Sequence, residues 1–175
     1  DKVQLRKIIF AYHSPAQFAE GDAEMDLLAA VLSEGKTSRL YKKLVYDDKI
    51  ASEVNAYQDS SQLGSVFRID LMAQPEVDLE RIERTVDEEL AKLLESGPSE
   101  YELEQRKATF ELAMLTRLQT VEAKADQLNA YEYFWGEPNS FKRNLDRYRA
   151  ATAESVKKWA RQVLTPNARV IVHVV

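Results

Sequence analysis

The sequence has no cysteine, so no disulfide, thiolate nucleophile or thiolate metal site can form within it. The same absence leaves the compartment open. No apolar run approaches the ~18–20 residues of a membrane span. No block of basic residues calls for nucleic acid. There is no signal-peptide pattern at residue 1, no internal repeat and no low-complexity segment.

Histidine is scarce in a more telling way. The chain holds two, His13 and His173. A zinc peptidase helix of the H-x-x-E-H or H-E-x-x-H type needs two imidazoles on one helix face, with a glutamate beside the metal-bound water. Neither pattern can be written here, and carboxylates alone hold zinc poorly. No metal or cofactor is therefore expected in this chain. Other catalytic patterns fail as well. His13-Ser14-Pro15 places histidine and serine side by side, whereas a triad is assembled by the fold, and no G-x-S-x-G elbow is present. Gly35-Lys36-Thr37 resembles the end of a phosphate loop, but Ala30 stands where its first glycine belongs. Glu83, Asp87, Glu88, Glu100, Glu102 and Glu104 alternate with Arg81, Arg84 and Arg106, as on solvated helix faces.

What remains is a chain of one-domain size, residues 1–175, 45% hydrophobic and 30% charged with net charge −5. Gln4–Tyr12 reads as a strand with Ile8, Phe10 and Tyr12 on one face and Ile9 and Ala11 on the other. Ala23–Leu32 is an apolar helix ended by Gly35. Thr37 or Ser38 would cap a second helix to about Asp47, with Leu40, Leu44 and Val45 inward. Ser52–Gln58 and Ser65–Ala73 read as antiparallel strands around a polar turn. Leu79, Ile82, Val86, Leu90 and Leu93 mark an amphipathic helix, which Ser96-Gly97-Pro98 ends. Ser99 and Glu102 form a capping box for one long helix, whose stripe runs from Leu103 through Phe110, Met114, Leu118 and Val121 to Leu128. Helices at Phe141–Tyr148 and Thr152–Leu164 and a strand at Val170–Val174 complete the order β-α-α-β-β-α-α-α-α-β. The class expected is α+β, a mostly antiparallel sheet covered on one face by helices. Both ends fall on apolar strands, so the chain is expected to be a piece of a longer polypeptide.

Two groups of residues are candidates for contact with a peptide or a neighbouring domain. Arg39 and Lys42, with Lys36 and Lys43, form a basic patch that could steer acidic segments or a peptide C-terminus. Tyr131, Tyr133 and Trp135, with Phe134, form an aromatic cluster suited to packing in the core or at a domain interface, with gripping a peptide as the alternative.

The run LLAAVLSEGKTSRLYKKLVYDDKIASEVNAY resembles the opening of the non-catalytic, C-terminal-type domain of M16 (insulinase-type, inverzincin) peptidases. QLGSVFRIDLMAQP, GPSEYELEQRK and LQTVEAKADQLNAYEYFWGEP continue the resemblance in order over nearly the whole chain. It implies an α/β sandwich in a clamshell of two halves, each of two such domains, enclosing a peptide that zinc in a different domain cuts. The implied partners are the catalytic domain of the same protein, a second M16 half and the peptide. The implied habitat is bacterial and periplasmic or otherwise extracytoplasmic. Substrate-clamping members carry an Arg and a Tyr seven residues apart, roughly L-R-x-x-x-G-L-A-Y. Here those positions are Val45 and Ser52, which cannot do that work, and Tyr46 is one residue out of place. The resemblance thus implies a structural, chamber-forming domain of a zinc metallopeptidase. A non-enzymatic scaffold or assembly subunit on the same fold is the alternative, and an α+β interaction module unrelated to proteolysis is a third. Self-association of the isolated chain is also expected, through the aromatic cluster or the exposed edge of the first or last strand.

Overall fold

The structure, a computed structural model, describes residues 6–175. The expected start of the first strand at Gln4 and Leu5 lies outside the described residues. Four strands form one antiparallel sheet in the order β2-β3-β1-β4: β1 (Lys7–Ser14), β2 (Ala51–Asp59), β3 (Ser65–Ala73) and β4 (Arg169–Val174). β1 is flanked on both sides, with Phe10 opposite Ile69 of β3 and Ile171 of β4. The first strand is therefore central, which corrects the expectation that it offers an edge. Only β2 and β4 do so among the described residues.

Side-chain alternation sets the layers. Ile8, Phe10, Tyr12, Phe67, Ile69 and Leu71 point to one face and are fully buried, because the helices lie there. Helix α1 (Asp22–Ser33) and a π-helical segment (Tyr41–Asp47) connect β1 to β2. That segment was expected to be α-helical with a Thr37 or Ser38 cap. Instead Asp48 N–H reaches back five residues to the Lys43 carbonyl, at 2.9 Å, and the Ser38 hydroxyl donates to the Gly35 carbonyl, at 2.7 Å. Leu40 and Leu44 are still buried as expected.

Five α-helices lie between β3 and β4, one more than expected: α2 (Leu79–Ser96), α3 (Glu100–Arg117), α4 (Val121–Trp135), α5 (Phe141–Ala150) and α6 (Ala153–Val163). The apolar face expected for α2 is buried at each of its five positions, and the Ser99–Glu102 capping box is present. The single long helix is two. The chain turns at Leu118-Gln119-Thr120, and Thr120 caps α4 by accepting from Ala123 N–H at 3.3 Å. Past Leu103 the expected stripe is only partly used, and Val121 is 87% exposed. A stripe that loses its partner surface no longer holds one helix straight through a good capping residue.

The acidic helix faces are less purely solvated than their spacing implies. Asp87 and Glu83 of α2 pair with Arg169 at the start of β4, tying the last strand to the helical layer. Glu102 takes a two-pronged ion pair from Arg39, both contacts at 2.8 Å.

Candidate functional site

On the helical side a cleft opens between α1, β2 and α3. Its cavity is about 300 Å³, lined by Asp26, Ala29, Ala30, Ser33 and Glu34 from α1 and its end, Asn55, Ala56 and Tyr57 from β2, and Thr109, Phe110 and Ala113 from α3. Four alanines keep it open. Local rules explain its walls. α1 is nearly all small or apolar residues and packs deep in the core, and Gly35 at φ +77 lets the chain leave it sharply. β2 lies at the sheet edge, kinked by a bulge at Ser52.

Asp26 is the chemically distinctive group. Its Oδ2 accepts from the Tyr148 hydroxyl at 2.7 Å, and burial lifts its carboxyl from the usual carboxylate range to about 7. The Tyr148 hydroxyl opposes that rise, nearby Asp22 reinforces it, and Arg147 opposes it. Tyr148 is itself pushed upward, by burial first and then by the Asp26 charge. Asp22, one turn earlier, is buried and fully partnered. It accepts from Phe18 N–H (2.8 Å), Gln58 (2.7 Å), Ser60 (3.3 Å) and Arg147 (2.7 Å). A second cavity of about 280 Å³ opens on the other side of Asp26 and Tyr148, toward Arg117, Asp126 and Gln127.

The edge strand is closed where it borders this cleft. Ser33 Oγ accepts from Ala56 N–H at 2.7 Å and donates to the Ala56 carbonyl at 3.3 Å. One side chain thus satisfies both outward backbone groups of that residue.

Zinc does not fit here. Asp26, Ala29 and Ala30 stand at i, i+3 and i+4 of α1, the spacing an H-x-x-E-H motif would occupy, but they offer one carboxylate and two methyl groups. Among the described residues no group of three His, Cys, Asp or Glu side chains is arranged to hold a metal. The two histidines lie on opposite faces of the sheet, since His173 pairs with inward Ile8 while His13 pairs with Val66 on the open face. His13 Nδ1 donates to the Ser65 carbonyl at 3.1 Å, and its ring lies over Gly64. His173 sits 3.5 Å from Glu83.

The expected contact residues fall into distinct environments. Arg39 is committed to Glu102 and to the Gly97 carbonyl (3.0 Å), and its guanidinium is the first cause holding the Glu102 carboxyl down at about 2. Lys42 is exposed. Tyr131 is buried, stacked on Trp135, with Phe18 against both, and it accepts from Asn144. Trp135 is half-buried beneath Arg143, 4.4 Å from its ring. Tyr133 is 65% exposed. Of the clamp positions, Val45 packs half-buried on the core, while Ser52 lies exposed in the bulge with its hydroxyl toward the Met72 carbonyl. Tyr46 points to solvent. Asp26 and Tyr148 did not stand out in the sequence. The available signal was a lone acid in the middle of the apolar helix, at the same heptad face as Ala29, Ala30 and Ser33.

A four-stranded antiparallel sheet covered on one face by helices defines an α+β domain. Comparison with known proteins places it further: residues 1–110 match the model of the peptidase M16 inactive domain, and the chain belongs to that family. The zinc protease PqqE of Helicobacter pylori is 27% identical over 120 residues, which are 69% of this chain and 27% of that protein. The chain thus spans about a quarter of that relative's length. Among solved structures, a protease from Helicobacter pylori superposes with a TM-score of 0.88 at 21% identity, over 99% of this chain and 42% of that one. An inactive peptidase domain from Bordetella parapertussis superposes with a TM-score of 0.86 at 23% identity, over 100% and 94%.

Proposed function

We propose that this domain serves, within a longer M16 protein, as the non-catalytic wall of a chamber in which a zinc-bearing domain cuts peptides. The observation that carries the reading is the match of residues 1–110 to the peptidase M16 inactive domain, and the α1 cleft is in keeping with it, offering Asp26, Ala29 and Ala30 rather than a set of metal ligands. The domain's contribution is then structural. It packs against the zinc-bearing domain of the same protein, pairs with a second M16 half and leaves its exposed Lys42 and Tyr133 for substrate or domain contacts. Zinc belongs to the catalytic neighbour, and a bacterial periplasmic setting follows the family's habit. The open β4 margin, where Val170 is 62% and Val172 43% exposed, is the surface we assign to the neighbour. No helix is long and apolar enough to cross a membrane among the described residues.

The scaffold reading has one observation in its favour. A chain of complex III2 from Candida albicans has the same fold, with a TM-score of 0.81 at 18% identity. Metal analysis separates the two readings. On the peptidase reading the parent protein carries stoichiometric zinc that survives His13→Ala and His173→Ala, while the isolated domain carries none after dialysis. A parent protein without zinc supports the scaffold, and zinc held by this domain and lost in either histidine variant overturns both.

A further inference from the structure

We propose that the α1–β2–α3 cleft binds an organic cation, the ammonium or guanidinium group of a lysine or arginine side chain presented by a peptide, with Asp26 as its anionic floor. The peptide as source rests on the chamber-wall reading; recognition of the cation does not.

The cavity of about 300 Å³ lies at the small end of ligand sites and suits one long side chain. It exists because Ala29, Ala30, Ala56 and Ala113 contribute only methyl groups to its lining. Charge selects what enters. Asp26 and Glu34 are the charged residues of the lining, and both are acids. Glu34 lies at the mouth, its side chain 44% exposed and 3.8 Å from Arg106. Asp26 is held in place through one oxygen by Tyr148, and its other oxygen has no hydrogen-bond partner among the described residues. The nearest guanidinium, that of Arg147, is spent on Asp22 and Asn144. A half-buried carboxylate with a free acceptor can take a cationic donor. Its carboxyl already sits near 7, and an arriving cation would favour the charged form.

Shape and backbone reinforce this choice. Phe110, stacked on Tyr148 with centroids 5.0 Å apart, and Tyr57 supply aromatic walls of the kind that attract ammonium and guanidinium groups. Strand addition is hindered at Ala56, because Ser33 already occupies both of its outward groups. A peptide passing this edge can insert a side chain there but finds no free backbone group at Ala56.

The test titrates Nα-acetyl-lysine methylamide, Nα-acetylarginine methylamide and, as the uncharged comparison, Nα-acetylnorleucine methylamide into the 175-residue chain. The pH is about 8.5, where Asp26 is ionised. Backbone amide shifts at Ala29, Ala30, Ala56 and Ala113 report binding. Both cations should give saturable shifts and norleucine none. Asp26→Asn should weaken binding by about tenfold or more. Ala113→Phe, an exposed position facing the cleft from α3, should block it without touching the carboxylate and stands in if Asp26→Asn does not fold. Equal shifts with norleucine, unchanged affinity in both variants, or no shift with any probe would overturn the assignment. Because nothing here depends on zinc or peptidase activity, its failure and that of the chamber reading are distinguishable.

Discussion

At the β2 edge, Ser33 of α1 bonds both outward groups of Ala56, Gln58 reaches Asp22, and a bulge at Ser52 bends the strand. At the β4 edge no strand or side chain pairs the outer backbone among the described residues. Val170 and Val172 face outward there without a lysine or proline to discourage pairing. The two edges teach different things. A sheet margin sealed by its own helix is finished within the domain, and function there is left to the cleft. An unprotected, valine-bearing margin is what a domain shows where another body is meant to cover it.

The comparison can be broken most forcefully at Asp22. Asp22→Ala leaves the half-buried Arg147 without its carboxylate and unties β2 from α1 and α5, and should cost about 3 kcal/mol in denaturant unfolding. A loss below about 1 kcal/mol would mean that the sealed side is not held there. Ser33→Ala leaves the Ala56 N–H unpaired and should cost about 1–3 kcal/mol. An unchanged midpoint would show that water replaces the hydroxyl and that this edge is not sealed.

Asp26 tests the cleft through pH. Its folded carboxyl sits near 7 against an ordinary value of 3.8, so its contribution is fully present below the ordinary value and lost as pH rises through 7. Stability should therefore fall with a slope of up to about 1.4 kcal/mol per pH unit between those limits. Asp26→Asn keeps an acceptor for Tyr148 and should remove that slope; an identical pH profile would contradict the burial argument. Gly35→Val should cost about 1 kcal/mol. With φ at +77 and no atom within 4 Å of an added Cβ, the loss is backbone strain alone, and an unchanged melting temperature would deny it. Smallest in stability is Val172→Lys on the open margin, within about 0.5 kcal/mol. The isolated domain is expected to self-associate at high concentration through this margin, and the lysine should return it to monomer in sedimentation. Association that persists would move the docking surface elsewhere.

How much of this could be read from the sequence followed physical locality. The period-2 strands, the period of α2, the Ser99–Glu102 box and the Gly35 exit are set within a few residues, and each was legible. That no H-x-x-E-H motif can be written needs only a count of histidines. The α3–α4 break was not, because Phe110, Met114 and Leu118 continue a helical stripe whose partner surface ends out of sight in three dimensions. The π-helical turn at Tyr41–Asp47 was hidden for a similar reason, since its leucine spacing fits an α-helix equally well. β1 ended up central because of strand order, which no local pattern encodes. Arg39 could be singled out by charge, but its commitment to Glu102 joins residues 63 apart. Asp26 became visible only when α1, β2 and α3 were brought around it.

The central claim is that this domain cuts nothing alone and lends its open margin to a zinc-bearing neighbour. It is tested most directly by titrating the domain, as wild type and as Val172→Lys, into the separately expressed zinc-bearing domain of the same polypeptide while following peptide cleavage. The account predicts that cleavage rises to a plateau at one equivalent of wild type and stays low with the lysine variant. A zinc-bearing domain equally active without this chain, or cleavage by this chain alone, would contradict it.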